Sequence, residues 1–167
     1  SSPTMTDMII EDNVAIFGGG LYLLDNSNPV MTDVSVTENT SAAGGGIYMA
    51  NSEPHMISVN INSNHAYYSS GGMYLISSDP VMNNVSIADN IVLYGDDYGD
   101  DQDDAGIPPP WGGGLFLVYS DPIMNGVTVS GNSLPGDQNE TSLLGGGMML
   151  LDSDPTMNNV TIKNNST

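Results

Sequence analysis

Six prolines, Pro3, Pro29, Pro54, Pro80, Pro122 and Pro155, mark six copies of one unit at spacings of 26, 25, 26, 42 and 33 residues. Two residues before each stands a Ser: Ser1, Ser27, Ser52, Ser78, Ser120 and Ser153. Two residues after each stands a Met: Met5, Met31, Met56, Met82, Met124 and Met157. Ten residues after each stands an Asn: Asn13, Asn39, Asn64, Asn90, Asn132 and Asn165. Apolar residues recur at plus five (Met8, Val34, Val59, Val85, Val127, Val160) and at plus seven (Ile10, Val36, Ile61, Ile87, Val129, Ile162). Between the units lie Gly-rich triplets followed by apolar runs: GGGLYLL, GGGIYMA, SGGMYLI, GGGLFLV and GGGMMLL. Chance does not repeat such a pattern six times, so the fold must be one in which each unit is one structural turn.

A period near 25 residues suits a leucine-rich repeat as well as a β-helix, and the content of the unit decides. Val, Ile, Tyr, Thr and Ser fill both halves, which favours strand over helix. The plus-five and plus-seven residues alternate with polar ones, as in Val-Ser-Val and Val-Thr-Ile, so one side faces in and the other out. No stretch carries a capped 3.6-residue period. The expectation is an all-β, right-handed, single-stranded parallel β-helix of about six coils of ~26 residues, a single domain over 1–167. Coils stacked about 4.8 Å apart give a rod on the order of 25–30 Å long. Met, Val/Ile and Leu rows then form the interior, Met filling irregular gaps. The Asn row forms an amide ladder in a turn. The Ser-x-Pro step sets a corner, and the Gly triplets allow a tight bend where a side chain would clash.

The tetrapeptides IEDN (10–13), VTEN (36–39), INSN (61–64), IADN (87–90), VSGN (129–132) and IKNN (162–165), together with the Gly triplets, carry a resemblance. They are similar to the repeats of bacterial right-handed β-helix surface proteins, and nearest to the GGA[ILV] and FxxN repeats of the chlamydial polymorphic outer membrane proteins. Ile or Val stands here where FxxN has Phe. The resemblance covers nearly the whole chain. It implies the β-helix fold of the pectate-lyase-like superfold without its catalytic residues, and a passenger-like, adhesive role at a cell surface, with tetrapeptides that are structural.

The period breaks twice. The 42-residue spacing is 16 longer than 26 and the 33-residue spacing is 7 longer, and both insertions fall between the Asn and the next Gly triplet. Register sends both loops, 91–111 and 133–144, out of the same corner. The first carries Asp96, Asp97, Asp100, Asp101, Asp103 and Asp104, with Asp137 and Glu140 in the second. Hard carboxylate oxygens in a Gly-containing loop suit Ca²⁺, although the spacing is not that of an EF-hand. The alternative is a solvated acidic loop without an ion. Trp111, after PPP, is expected to pack on the coil corner.

Charge narrows the function classes. Twenty acidic residues face a single Lys, Lys163, and no Arg, for a net charge of −19. Nucleic acid needs Lys and Arg against its phosphates, so it is no partner. There is no Cys and no apolar run long enough to span a membrane. A bacterial exterior, extracellular or at the cell surface, fits this composition. Neither end shows a polar cap, which fits a segment of a longer rod or end-to-end stacking. The favoured reading is a non-catalytic structural or adhesive module, with other protein subunits or surface glycans as partners, or a fibre subunit. The alternative is carbohydrate binding by an outward aromatic row, Tyr22, Tyr48, Tyr74 and Phe116, continued by Met149. A lyase or hydrolase is disfavoured, because such enzymes need a basic group to hold a uronate, and His55 and His65 fall on different sides of one coil.

Overall fold

A computed structural model describes residues 1–93, 111–134 and 144–167. Every pairing in it is parallel and joins one coil to the next. Three sheets run along the rod. Sheet A takes the residues after each Pro, as in Val30–Thr37, and carries both the Met row and the Val/Ile rows. Sheet B is short, with strands Thr40–Ala43, His65–Ser69 and Ile91–Val92. Sheet C follows the Gly triplets: Leu21–Leu24, Ile47–Ala50, Met73–Ile76, Leu115–Val118 and Met148–Leu151. Equivalent residues stack: Met5 pairs Met31, Met31 pairs Met56, Met56 pairs Met82, Met82 pairs Met124, and Met124 pairs Met157.

Four bends close each coil, and each is made by a residue with positive φ. The first lies four residues after Pro (Asp7, Asp33, Ser58, Asn84, Gly126, Asn159) and kinks sheet A. The second lies nine after it (Asp12, Glu38, Ser63, Asp89, Gly131, Asn164). The third opens the Gly triplet (Gly18, Gly44, Ser70, Gly112, Gly145), and the fourth lies three before Pro (Asn26, Asn51, Ser77, Tyr119, Asp152). Asp, Asn and Ser tolerate the left-handed region better than other side chains because they bond to nearby backbone. The corner expected at Ser-x-Pro therefore sits one residue earlier. Sheet B occupies the short and varied stretch between the Asn row and the Gly triplet, TSAA and HAYYS.

The Ser of Ser-x-Pro has another task. Ser52 N–H donates to Ser78 Oγ at 3.1 Å, Ser78 N–H to Ser120 Oγ at 3.0 Å, and Ser78 Oγ donates to the Ile76 carbonyl at 2.9 Å. These buried hydroxyls link the coils where no sheet does. The Asn row does the same at the opposite corner. Asn13 Nδ2 donates to Asn39 Oδ1 at 2.9 Å, and the chain continues through Asn64 (3.0 Å), Asn90 (3.0 Å), Asn132 (2.9 Å) and Asn165 (2.9 Å). Each Oδ1 also takes the preceding Asn backbone N–H, as Asn64 does from Asn39 at 3.0 Å. Asn39, Asn64, Asn90 and Asn132 are fully buried, so the ladder satisfies groups that water cannot reach.

Between the sheets lies a main apolar column of Met, Val, Ile and Leu, with a smaller cluster of Ala66, Val92 and Leu134 beside it. Met31, Met56, Met82 and Met124 have no exposed surface, whereas Met157 in the last coil is 41% exposed. Met56→Ala should therefore cost about 2–5 kcal/mol through lost burial and a cavity, and Met157→Ala clearly less. Chemical denaturation of the two variants checks this ordering.

Candidate functional site

Sheet C differs from the others in what it turns outward. After each triplet the first and third residues face the core, as Ile47 and Met49 or Leu115 and Leu117 do. The second and fourth must then face away from it. The second row is aromatic: Tyr22, Tyr48, Tyr74 and Phe116, then Met149. The fourth is aliphatic: Leu24, Ala50, Ile76, Val118 and Leu151. Sequence reasoning found the first row and missed the second. Its signal was the unbroken apolar run after each triplet, the pattern of strands covered on both faces.

The rings form a continuous column. Tyr22 and Tyr48 lie 5.3 Å apart at 66°, and Tyr48 and Tyr74 lie 5.1 Å apart at 72°. Phe17 joins from the side, 5.1 Å from Tyr48. Tyr74 stacks on Phe116 at 4.8 Å and 18°, and Trp111 sets its edge on Phe116 at 5.4 Å and 78°. Tyr22 is 49% exposed and Tyr48 and Tyr74 are half-buried, but Phe116 is 1% exposed. Phe116 thus departs from the expected row of accessible rings: Tyr74 covers one side and Trp111 another, leaving no face for a ligand. Trp111 packs at the coil corner, and its buried indole N–H has no hydrogen-bond partner among the described residues.

Burial raises the Tyr48 and Tyr74 phenols above their ordinary 10.0, and the neighbouring Tyr22 and Tyr48 add to it respectively. The folded state thus keeps phenol protons that the unfolded chain releases. That contribution is complete below pH 10.0 and is lost as pH rises through the raised folded value. Thermal melts should therefore show a loss of stability above about pH 10, smaller in Tyr48→Phe than in the unaltered protein.

Polar groups elsewhere are committed to links between coils. Asp121 N–H donates to Asp79 Oδ1 and Asp154 N–H to Asp121 Oδ1, both at 2.6 Å. An outer amide row runs from Asn158 through Asn125 to Asn83 at 3.0 Å per step. His55 is exposed on sheet A and His65 is half-buried on sheet B, so the two are not brought together. Among the described residues no three His, Asp or Glu side chains could hold one metal ion. Asp96, Asp97, Asp100, Asp101, Asp103 and Asp104, the candidate Ca²⁺ ligands, lie outside the described residues, as do Asp137 and Glu140. The residues flanking both breaks are in register: Ile91 pairs with Ser133, and Trp111 pairs with Leu144.

No curated protein and no solved structure matches the chain. A family model described as the right-handed β-helix region matches residues 1–167. With parallel coils, in-register rows and that match along its whole length, the chain belongs to the right-handed β-helix family.

Proposed function

We propose that the chain is a non-catalytic structural and adhesive module of an extracellular or cell-surface protein, binding other protein subunits along its sides. The observation that carries this reading is the unbroken Asn ladder from Asn13 to Asn165. With the Ser links it commits the polar groups that recur in each unit to joining coil to coil. What the repeat leaves for a partner is its outer faces, each a row of like side chains, which suits extended contacts more than a single reacting centre. The resemblance to bacterial surface repeats points the same way.

The test is direct. The protein is incubated with polyuronates and neutral polysaccharides, with and without calcium, and products are followed as reducing ends and unsaturated uronates. No product is expected. Saturable turnover abolished by a single substitution would overturn the reading.

A second reading, carbohydrate binding, draws on the exposed Tyr22 ring. The tilts of 66° and 72° between successive rings weigh against it, because a flat sugar chain needs several ring faces presented together. On a glycan array, Tyr22→Ala and Tyr48→Ala would abolish binding if this second reading held.

A further inference from the structure

We infer that the outer face of sheet C is a docking surface for a short polypeptide segment with apolar side chains flanked by Lys or Arg. This rests on the binding role proposed above and assigns it to one face. The face is built by Tyr22, Leu24, Tyr48, Ala50, Tyr74 and Ile76, from three consecutive coils. None of the six is buried, Tyr22 is 49% exposed and Leu24 42%, and none carries a charge. Elsewhere exposed apolar residues such as Val30, Ile57 and Ile123 on sheet A stand in rows shared with His55, Asn83 and Asn125, and Asp33, Glu38, Glu53, Asp79, Asp89 and Asp121 are exposed at bends or on other sides. Among the described residues no acid stands in either of these two adjacent rows, which form an apolar strip on one face.

Area and charge choose the occupant. Three strands about 4.8 Å apart and four residues of about 3.3 Å each give a face on the order of 150–200 Å². A stable dimer needs roughly 800 Å² from each partner. The strip fits one extended or helical segment, not a second copy of the rod. Two copies would also bring together two chains of net charge −19. A basic segment is favoured by the same charge. The rim of the strip carries the Asp25 carboxylate and the Asn51 amide, 3.4 Å apart, and the tyrosine faces attract cations. A sugar chain fits less well. Among the outward side chains of sheet C only the three tyrosine hydroxyls could bond its hydroxyl groups, and the rings meet edge to face.

The experiment uses three synthetic peptides: alternating Leu and Lys, alternating Leu and Glu, and alternating Ser and Lys. Binding to the full chain is followed by fluorescence anisotropy. The Leu–Lys peptide should bind saturably and at least tenfold more tightly than either of the others, and more weakly as salt is raised. The variants Ala50→Gln with Ile76→Gln, and Leu24→Gln alone, should each weaken it at least tenfold. Val30→Gln, on the outer side of sheet A, should leave it unchanged, and melting curves establish that each variant is folded. Equal binding of the Ser–Lys peptide, or binding indifferent to the face variants, would overturn the inference. So would a neutral glucan or a second copy of the protein binding at this face in place of the peptide. Failure of the wider reading would look different: turnover of a polysaccharide, with peptide binding intact.

Discussion

Asn64→Ala is expected to lower the free energy of unfolding by about 3–5 kcal/mol, a large part of the roughly 5–15 kcal/mol that holds a typical domain together. Asn64 sits fully buried in the middle of the ladder. Its Oδ1 accepts from the backbone N–H and the Nδ2 of Asn39, both at 3.0 Å. Its Nδ2 donates to Asn90 Oδ1 at 3.0 Å and to the Val36 carbonyl at 2.9 Å. Truncation removes all four bonds, each worth about 0.5–1.5 kcal/mol, and leaves the buried Asn39 N–H without its acceptor, which costs about 1–3 kcal/mol more, while Asn39 Nδ2 keeps the Ile10 and Thr37 carbonyls and Asn90 Oδ1 keeps the Asn64 N–H. Relaxation and water entry into the gap recover part of that sum. Asn13→Ala is the control: its residue is exposed and ends the described ladder, so the same truncation should cost less than half as much. Urea unfolding of both variants measures the contrast. Equal effects would mean that the ladder is not what holds this corner together.

Gly45→Ala should have a still larger effect, because no movement of a side chain can make room for the methyl group. A Cβ there would lie 2.4 Å from the carbonyl oxygens of both Gly71 and His65. Those atoms belong to the next coil, whose backbone is held in turn by hydrogen bonds such as Gly45 N–H to the Ser70 carbonyl at 3.0 Å. The coils must part or the bend must open, and more than about 4 kcal/mol is lost, the range reserved for severe packing faults. Gly126→Ala offers the contrast. Gly126 is exposed with φ +64°, and its Cβ would meet only Asn84 Oδ1, the end of a side chain, at 2.8 Å. That substitution should cost about 1–2 kcal/mol, the strain of a left-handed residue. Soluble yield and melting temperature distinguish the two.

The tight bend expected at the Gly triplets has three separate causes, one at each position. The first residue needs positive φ, which Ser70 adopts as well as Gly18 or Gly44 does, so SGG can replace GGG. The second lies against the backbone of the next coil, as at Gly19, Gly45 and Gly71. The third faces the ladder, where a Cβ at Gly46 would come 3.0 Å from Asn64 Nδ2. The Met, Val and Asn rows were legible because burial holds each to one residue type. The bends at plus four and plus nine were harder to read, since Asp, Glu, Asn, Ser and Gly all serve there and no single letter fills more than two of the six positions. Phe116 could not be told from Tyr48 by position alone. Its burial comes from Trp111, which stands beside it only after the fold is formed. The outward aliphatic row of sheet C was not legible because an unbroken apolar run carries no alternation to tell its two faces apart.

Diffraction from crystals of selenomethionine-substituted protein tests the stacking most directly. Of the eleven selenium sites, the six at residues 5, 31, 56, 82, 124 and 157, separated by as many as 42 positions in the chain, should fall in sequence order along one near-straight line. Neighbouring peaks should lie about 4.8 Å apart, the distance between paired strands. Scatter of those six peaks away from a common line, or an interruption where the long spacings occur, would contradict the account.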